Sequence, residues 1–250
     1  MTDVTGFAKV LDYVTIMNYD IWGPWSSTVG PNAPLDDTCA PNADRAGSAT
    51  SAVQAWKKAG MPLNKLVLGI PSYGHSYRVR KQNAYANGVG GQLALYPKFD
   101  ANAQPAGDKW DAPAGGKDLC DNKVSTQPGG IIQYWGMISL GYIDQNGHPK
   151  PGKVYRFDTC SNTVCILVRS FRLISAFYQP FIYDPSKEIM VSYDDPQVSR
   201  FPESWNSLIA LQSMRAKGMF IKSQKLRGFS MWEVGGDDHT SLVDAIESTF

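Results

Sequence analysis

Apolar and β-branched residues run almost unbroken from Asp12 to Asp20, D-Y-V-T-I-M-N-Y-D, the pattern of a strand buried on both faces. Glycine, proline and asparagine then crowd Gly23 to Asn42, which predicts a long loop. From Ser48 to Ala59 the apolar positions Ala49, Ala52, Val53 and Trp56 recur at helical spacing, and Gly60 stands where a helix stops. Lys65 to Ile70 reads as a second buried strand, stopped by Pro71. Strand, loop, helix, strand is the βαβ unit of a parallel sheet. The stretch from Tyr77 to about Met190 is different: short strand-like pieces separated by many Gly, Pro, Asn and Asp, which predicts an inserted α+β lobe. The parallel pattern then resumes, with a helix over Met214–Ser223, a strand over Leu226–Trp232 and a helix over Ser241–Phe250. The expected class is α/β. Three βα units are too few to close a barrel, and an open three-stranded parallel sheet leaves edges and faces bare, so the sequence reads as incomplete.

Composition narrows the partners. The formal net charge is +1 and no basic run exists, which argues against nucleic acid and anionic membrane. Aromatic residues at 12% suit rings stacked on a ligand, and equally a large core. None of Cys39, Cys120, Cys160 and Cys165 forms a C-x-x-C pair, which argues against a zinc or thioredoxin-type site but leaves disulfides and buried thiols both open. No cofactor is implied. Met1 is followed by Thr-Asp-Val-Thr-Gly, without a basic start or an apolar stretch, so no signal peptide is expected in this chain. The most apolar stretch, Val164 to Tyr178, is too short to span a membrane and carries Arg169 and Arg172.

Four segments, in this order, carry a family resemblance over most of the chain. Met17-Asn18-Tyr19-Asp20 with Ile21-Trp22-Gly23 is similar to the M-x-Y-D signature at the end of barrel strand six in glycoside hydrolase family 18. Gly69-Ile70-Pro71-Ser72-Tyr73-Gly74 resembles the end of strand seven, the lobe from Tyr77 onward resembles the chitinase insertion domain, and Gly228-Phe229-Ser230-Met231-Trp232-Glu233 followed by Gly236-Asp237-Asp238 resembles strand eight. The resemblance implies a fungal-type chitinase, of which this chain is the C-terminal half: the last three βα units of a (β/α)8 TIM barrel with an inserted α+β lobe. Residues 1–76 would hold strands six and seven, 77–190 the insertion domain, and 191–250 the return to the barrel. The intact protein would be extracellular, and its partner would be chitin or a chito-oligosaccharide.

Family 18 hydrolyses β-1,4-linked N-acetylglucosamine with substrate assistance, an exception to the two-carboxylate scheme. A glutamic acid protonates the glycosidic oxygen, and the sugar's own 2-acetamido carbonyl attacks the anomeric carbon. By resemblance, Tyr19 places a phenol on the acetamido oxygen and Asp20 favours the oxazolinium-like charge. Trp232 forms the floor under the reacting sugar, Met17 shapes the same wall, and Tyr73 and His75 are expected in a minus subsite. On residue type alone, Tyr19 and Asp20 also fit an ordinary strand end, Trp232 fits a core residue, and a lone His75 fits a packing residue. Trp22, Trp25 and Trp135 are entrance aromatics by the same reading. Glu233 should point away from Trp232 by strand alternation.

Two departures stand out. The D-x-x-D-x-D-x-E motif that carries the general acid occurs nowhere in the sequence, and is expected upstream of Met1 with strands one to five. His75 stands where the family commonly has arginine. Three functions are therefore weighed: an incomplete copy of a secreted chitinase, inactive alone; a non-catalytic sugar-binding protein; and a chain that cannot fold. Cys120 and Cys160, both in polar loop-like parts of the lobe, are expected to form a disulfide, with the partner of Cys39 lying upstream. Two segments interrupt the family spacing: Val164–Gln179 and Val198–Gln212. Each begins with Val, whose codons start GT, and ends with Gln, which can be written CAG. Both are expected to be retained introns, which leaves Cys165 without a disulfide role.

Overall fold

A computed structural model describes residues 2–38, 40–112, 114–117, 120, 122–123, 127–157, 180–196 and 213–250. Cys39, Cys160, Cys165 and the stretches 164–179 and 198–212 lie outside the described residues, and with them the expected Cys120–Cys160 bridge; Cys120 itself is exposed.

The chain opens with α1 (Thr5–Val10) and β1 (Val14–Ile16). The sequence pattern predicts nine residues of strand here, yet the ladder stops at Ile16. Asn18 N–H turns back to the Ile16 carbonyl at 2.9 Å, and Asp20 enters the left-handed region at φ 57°, so Met17–Asp20 leave the sheet. A long loop leads to α2 (Ala49–Lys58), which starts at a capping box: Ser51 N–H donates to Ser48 Oγ and Ser48 N–H donates to Ser51 Oγ. Lys57 and Lys58 in its last turn favour the negative end of the helix dipole, and Gly60 at φ 101° supplies the left-handed stop.

β2 (Leu66–Pro71) is buried at every position, as a central parallel strand must be. Pro71 does not stop it cleanly; after one residue, Ser72, the backbone re-enters a sheet as β3 (Tyr73–Arg78). α3 (Lys81–Ala84), β4 (Ile131–Gln133), α4 (Tyr134–Ser139), β5 (Val154–Phe157), β6 (Pro180–Asp184) and β7 (Ile189–Ser192) follow, then α5 (Ser213–Gln224), β8 (Gly228–Trp232) and α6 (Ser241–Glu247).

Two sheets result. In the first, β2 lies between β1 and β8, all parallel, with Ile16 beside Leu68 and Pro71 beside Trp232. The second is antiparallel in the order β4-β3-β7-β6-β5 and forms the α+β lobe, running from Tyr73 to Ser192. Leu66, Leu68 and Ile70 of β2 pack with Val53 of α2, Met214, Phe220 and Ile221 of α5, and Leu242 and Ile246 of α6. Each such side chain stabilises the fold by roughly 1.5–3 kcal/mol. Tyr77, Tyr85, Phe181, Tyr183 and Met190 make a separate core for the lobe. The β1–β2 approach depends on Gly69: a Cβ there would sit 2.5 Å from the Ile16 carbonyl oxygen. Leu68 and Ile70 are fully buried, whereas Trp232 at the end of β8 is 62% exposed.

Candidate functional site

Parallel strands present their C-terminal ends on one side of a sheet, where loops gather side chains from distant parts of the chain. Here that edge collects Met17, Tyr19 and Asp20 after β1, Tyr73 and His75 after β2, and Trp232 at the end of β8.

Asp20 is the electrostatic centre. Its Oδ1 accepts from the Tyr73 hydroxyl at 2.6 Å and lies 2.9 Å from His75 Nε2. Burial pushes this carboxyl up, but the hydrogen bonds from His75 and Tyr73, with the His75 charge, outweigh it and hold it below the ordinary carboxylate range. Asp20 is therefore an anion at neutral pH. The loop is pinned by Asn32, a fully buried side chain. Its Oδ1 accepts the Asp20 N–H at 2.9 Å, its Nδ2 donates to the Tyr73 carbonyl at 3.0 Å, and its own N–H donates to Ser192 Oγ at 3.0 Å. Asn32 thus ties the β1 loop, the β2–β3 junction and β7 together. Sequence reasoning passed over it; the one signal was an asparagine in the turn-rich stretch Pro31-Asn32-Ala33-Pro34.

Tyr73 and His75 lie behind Asp20 and away from solvent, at 6% and 2% exposure. The Tyr73 hydroxyl is pushed far above its usual value, chiefly by burial and then by Asp20, so it stays a donor. The contact to Asp20 uses Nε2 of His75, while its buried Nδ1 has no hydrogen-bond partner among the described residues. The exposed Trp25 meets the His75 ring edge-on at 5.4 Å. Tyr19 packs edge-on to Tyr73, at 6.3 Å between centroids, and close over Gly69. Burial and then the charge of Asp20 push the Tyr19 phenol up, so it too keeps its proton.

Met17, 72% exposed, and Trp232 face solvent rather than the core. Trp232 is held from behind: Ser72 N–H donates to the Trp232 carbonyl at 3.0 Å, Ser72 Oγ donates to the Glu233 carbonyl at 2.5 Å, and Glu233 N–H donates back to Ser72 Oγ at 2.9 Å. The Trp232–Glu233 peptide is cis. Of the entrance aromatics, Trp22 is buried against Tyr96, and Trp135 meets Trp110 edge-on at 5.2 Å with Lys109 Nζ over its ring. Among the described residues no group of three His, Cys, Asp or Glu side chains is placed to hold a metal. No helix of the described residues is long and apolar enough to cross a membrane.

The edge therefore offers one fixed anion, the Tyr19 phenol beside it and the exposed indoles of Trp25 and Trp232. That set can orient a neutral polar group, stabilise positive charge and support an apolar ring face. The family model "Glycosyl hydrolases family 18" matches residues 1–237. A chitinase-like effector of Moniliophthora roreri is 49% identical over 98% of this chain and 52% of its own length, and one of Moniliophthora perniciosa is 45% identical over 98% and 48%. The chain thus spans about half the length of these relatives. A crystal structure of a chitinase from Rhizomucor miehei, 26% identical, covers all of this chain and 56% of that one at a TM-score of 0.73.

Proposed function

The chain belongs to glycosyl hydrolases family 18, and we propose on that premise that it is the C-terminal half of a fungal-type, extracellular chitinase. Its parallel sheet would be the last three strands of a TIM barrel. The half-length match and the relatives in two Moniliophthora species support this reading. The observation that carries the site assignment is the Asp20 carboxylate, held by two donors on one oxygen beside Tyr19.

In this reading an N-acetylglucosamine unit of chitin lies on the Trp232 indole, whose flat face packs on the axial C–H groups of the sugar. Tyr19 donates to the acetamido oxygen. Asp20, anionic at neutral pH, stabilises the positive charge that grows as that oxygen attacks the anomeric carbon. Tyr73 and His75 position Asp20. The step also needs a proton on the leaving oxygen. Asp20 cannot deliver it, because its carboxyl is held below the ordinary range, and residues 1–250 contain no D-x-x-D-x-D-x-E motif. Residues 1–250 are therefore predicted to bind chito-oligosaccharides without hydrolysing them; general acid catalysis alone is worth roughly 10²–10⁴-fold in rate.

Titration with a chitin tetramer tests this. Binding is expected, with loss on Trp232→Ala and at least tenfold weakening on Asp20→Ala. Hydrolysis of the tetramer by residues 1–250 would refute the assignment of the acid. A second reading, a binding protein without catalysis, is favoured by the relatives whose names are chitinase-like effector. Adding a family member's segment with the D-x-x-D-x-D-x-E motif separates the two: restored turnover supports the chitinase, and binding without turnover supports the effector-like protein.

A further inference from the structure

Several backbone and side-chain bonds join Asp195 to residues eighteen and nineteen positions later, and three of them are diagnostic. Asp195 N–H donates to Ser213 Oγ at 2.8 Å, Ser213 N–H donates to Asp195 Oδ1 at 3.4 Å, and Met214 N–H donates to the Asp195 carbonyl at 3.3 Å. Each has a fixed meaning at the start of an α-helix. The first two are the reciprocal bonds of a capping box, which link the N-cap to the third helical residue. The last is the first i→i+4 bond, which links the N-cap to the fourth. Ser213 and Met214 thus occupy the third and fourth helical positions of a helix whose N-cap is Asp195. Only two residues belong between Asp195 and Ser213 in that geometry, where the sequence has seventeen, 196–212.

Removing Val198–Gln212, fifteen residues, leaves two. The joint then reads Asp195-Pro196-Gln197-Ser213: an aspartate N-cap, and a proline at the first helical position, where its missing N–H costs nothing. The second joint behaves alike. β5 and β6 are paired up to Phe157 opposite Pro180, so the chain ends on either side of 158–179 are already adjacent, with Cα atoms about 4.5–5.5 Å apart. Hairpin loops usually have about 2–5 residues; this connection has twenty-two. Without Val164–Gln179 it has six, Asp158–Thr163.

We propose that 164–179 and 198–212 are translated introns, and that in the working protein this stretch of chain has 219 residues, with Thr163 bonded to Pro180 and Gln197 to Ser213. The fold closes both joints without them, and both segments carry the Val start and Gln end that GT and AG splice boundaries permit. Among the described residues, the cap is made by Asp195 with Ser213 and Met214, and the hairpin by β5 with β6.

Two measurements test this. Recombinant 250-residue and 219-residue chains are compared by thermal unfolding. The shorter one is expected to melt at the same temperature or higher, and Ser213→Ala to lower the midpoint in both. A shorter chain that melts lower, or fails to fold where the longer one folds, overturns the proposal. Independently, tryptic peptides are sought from the protein of the source cells. Expected are Phe157–Thr163 continuous with Pro180–Lys187, and Glu188–Gln197 continuous with Ser213–Arg215. Finding Leu173–Lys187 or Phe201–Arg215, which carry inserted sequence, in place of the joined peptides overturns it whatever the recombinant chains do.

Discussion

Raising the pH should weaken the N-cap of α5. Asp195 is buried at 3% exposure. Burial, partly offset by hydrogen bonds from Tyr155 and Ser213 and reinforced by the charge of Asp194, pushes its carboxyl up to about 7. Tyr155 Oη donates to its Oδ2 at 2.6 Å, and Lys217, Tyr193 and Tyr134 are the other titratable groups that feel it. In the unfolded chain an aspartate titrates near about 3.9. A folded value above the unfolded one means that the native state binds the proton more tightly. Its contribution is fully present below the unfolded value and is lost as pH rises from there through about 7. About three pH units correspond to about 4 kcal/mol, accumulating at about 1.4 kcal/mol per pH unit. The perturbation is Asp195→Asn, which keeps an Oδ1 to accept the Ser213 N–H and cannot ionise. Denaturant unfolding of both proteins is measured between about pH 4.5 and 7.5, which spans most of that window. Asn is expected to gain steadily on Asp as pH rises, by a few kcal/mol over the range. A difference that does not change with pH refutes the reasoning, because it would mean that Asp195 titrates alike folded and unfolded.

Two further outcomes concern stability. Lys217 and Asp194 form an ion pair in the core, Nζ to Oδ2 2.5 Å, with both side chains 1% exposed. Lys217→Met alone is expected to cost about 3–5 kcal/mol by stranding the aspartate, and the double variant Asp194→Leu/Lys217→Met to recover most of it; equal losses in single and double variants would contradict this. Ser48→Ala removes the acceptor for Ser51 N–H and is expected to cost about 1 kcal/mol, read as a lower denaturant midpoint.

How much of this was legible in the sequence varied with the kind of signal. α2 was plain, because its apolar spacing and its Gly60 stop are both local. α1 was missed: it has six residues, none buried, and no side-chain cap. β1 was read too long, since Met17-Asn18-Tyr19 looks like strand by residue type, while the turn at Asp20 is set by Asn32 twelve residues on. The Met17–Asp20, Tyr73–His75 and Trp232 segments could be picked out by their resemblance. Their arrangement could not: that His75 stands behind Asp20 depends on β3 turning away at Ser72, and that depends on pairing with β7 more than a hundred residues later. Lys217 is the sharpest case. A lysine on a helix reads as surface, and an aspartate twenty-three residues earlier, just after β7, is what pairs with it in the core.

Trp232 reaches the mouth of the site through β8, which pairs only with β2 among the described residues. The two strands are separated by the whole lobe, 130 residues from Pro71 to Trp232 once 164–179 and 198–212 are set aside. During synthesis at roughly 5–20 residues per second, β2 waits about 7–26 s for its neighbour. Over that interval the apolar edge of β2 stands open, while the lobe, whose strands pair with one another, can form. Birth order thus places the antiparallel lobe before the Trp232 edge of the parallel sheet, and makes the nascent β1–β2 pair a stage at which a chaperone has much to shield.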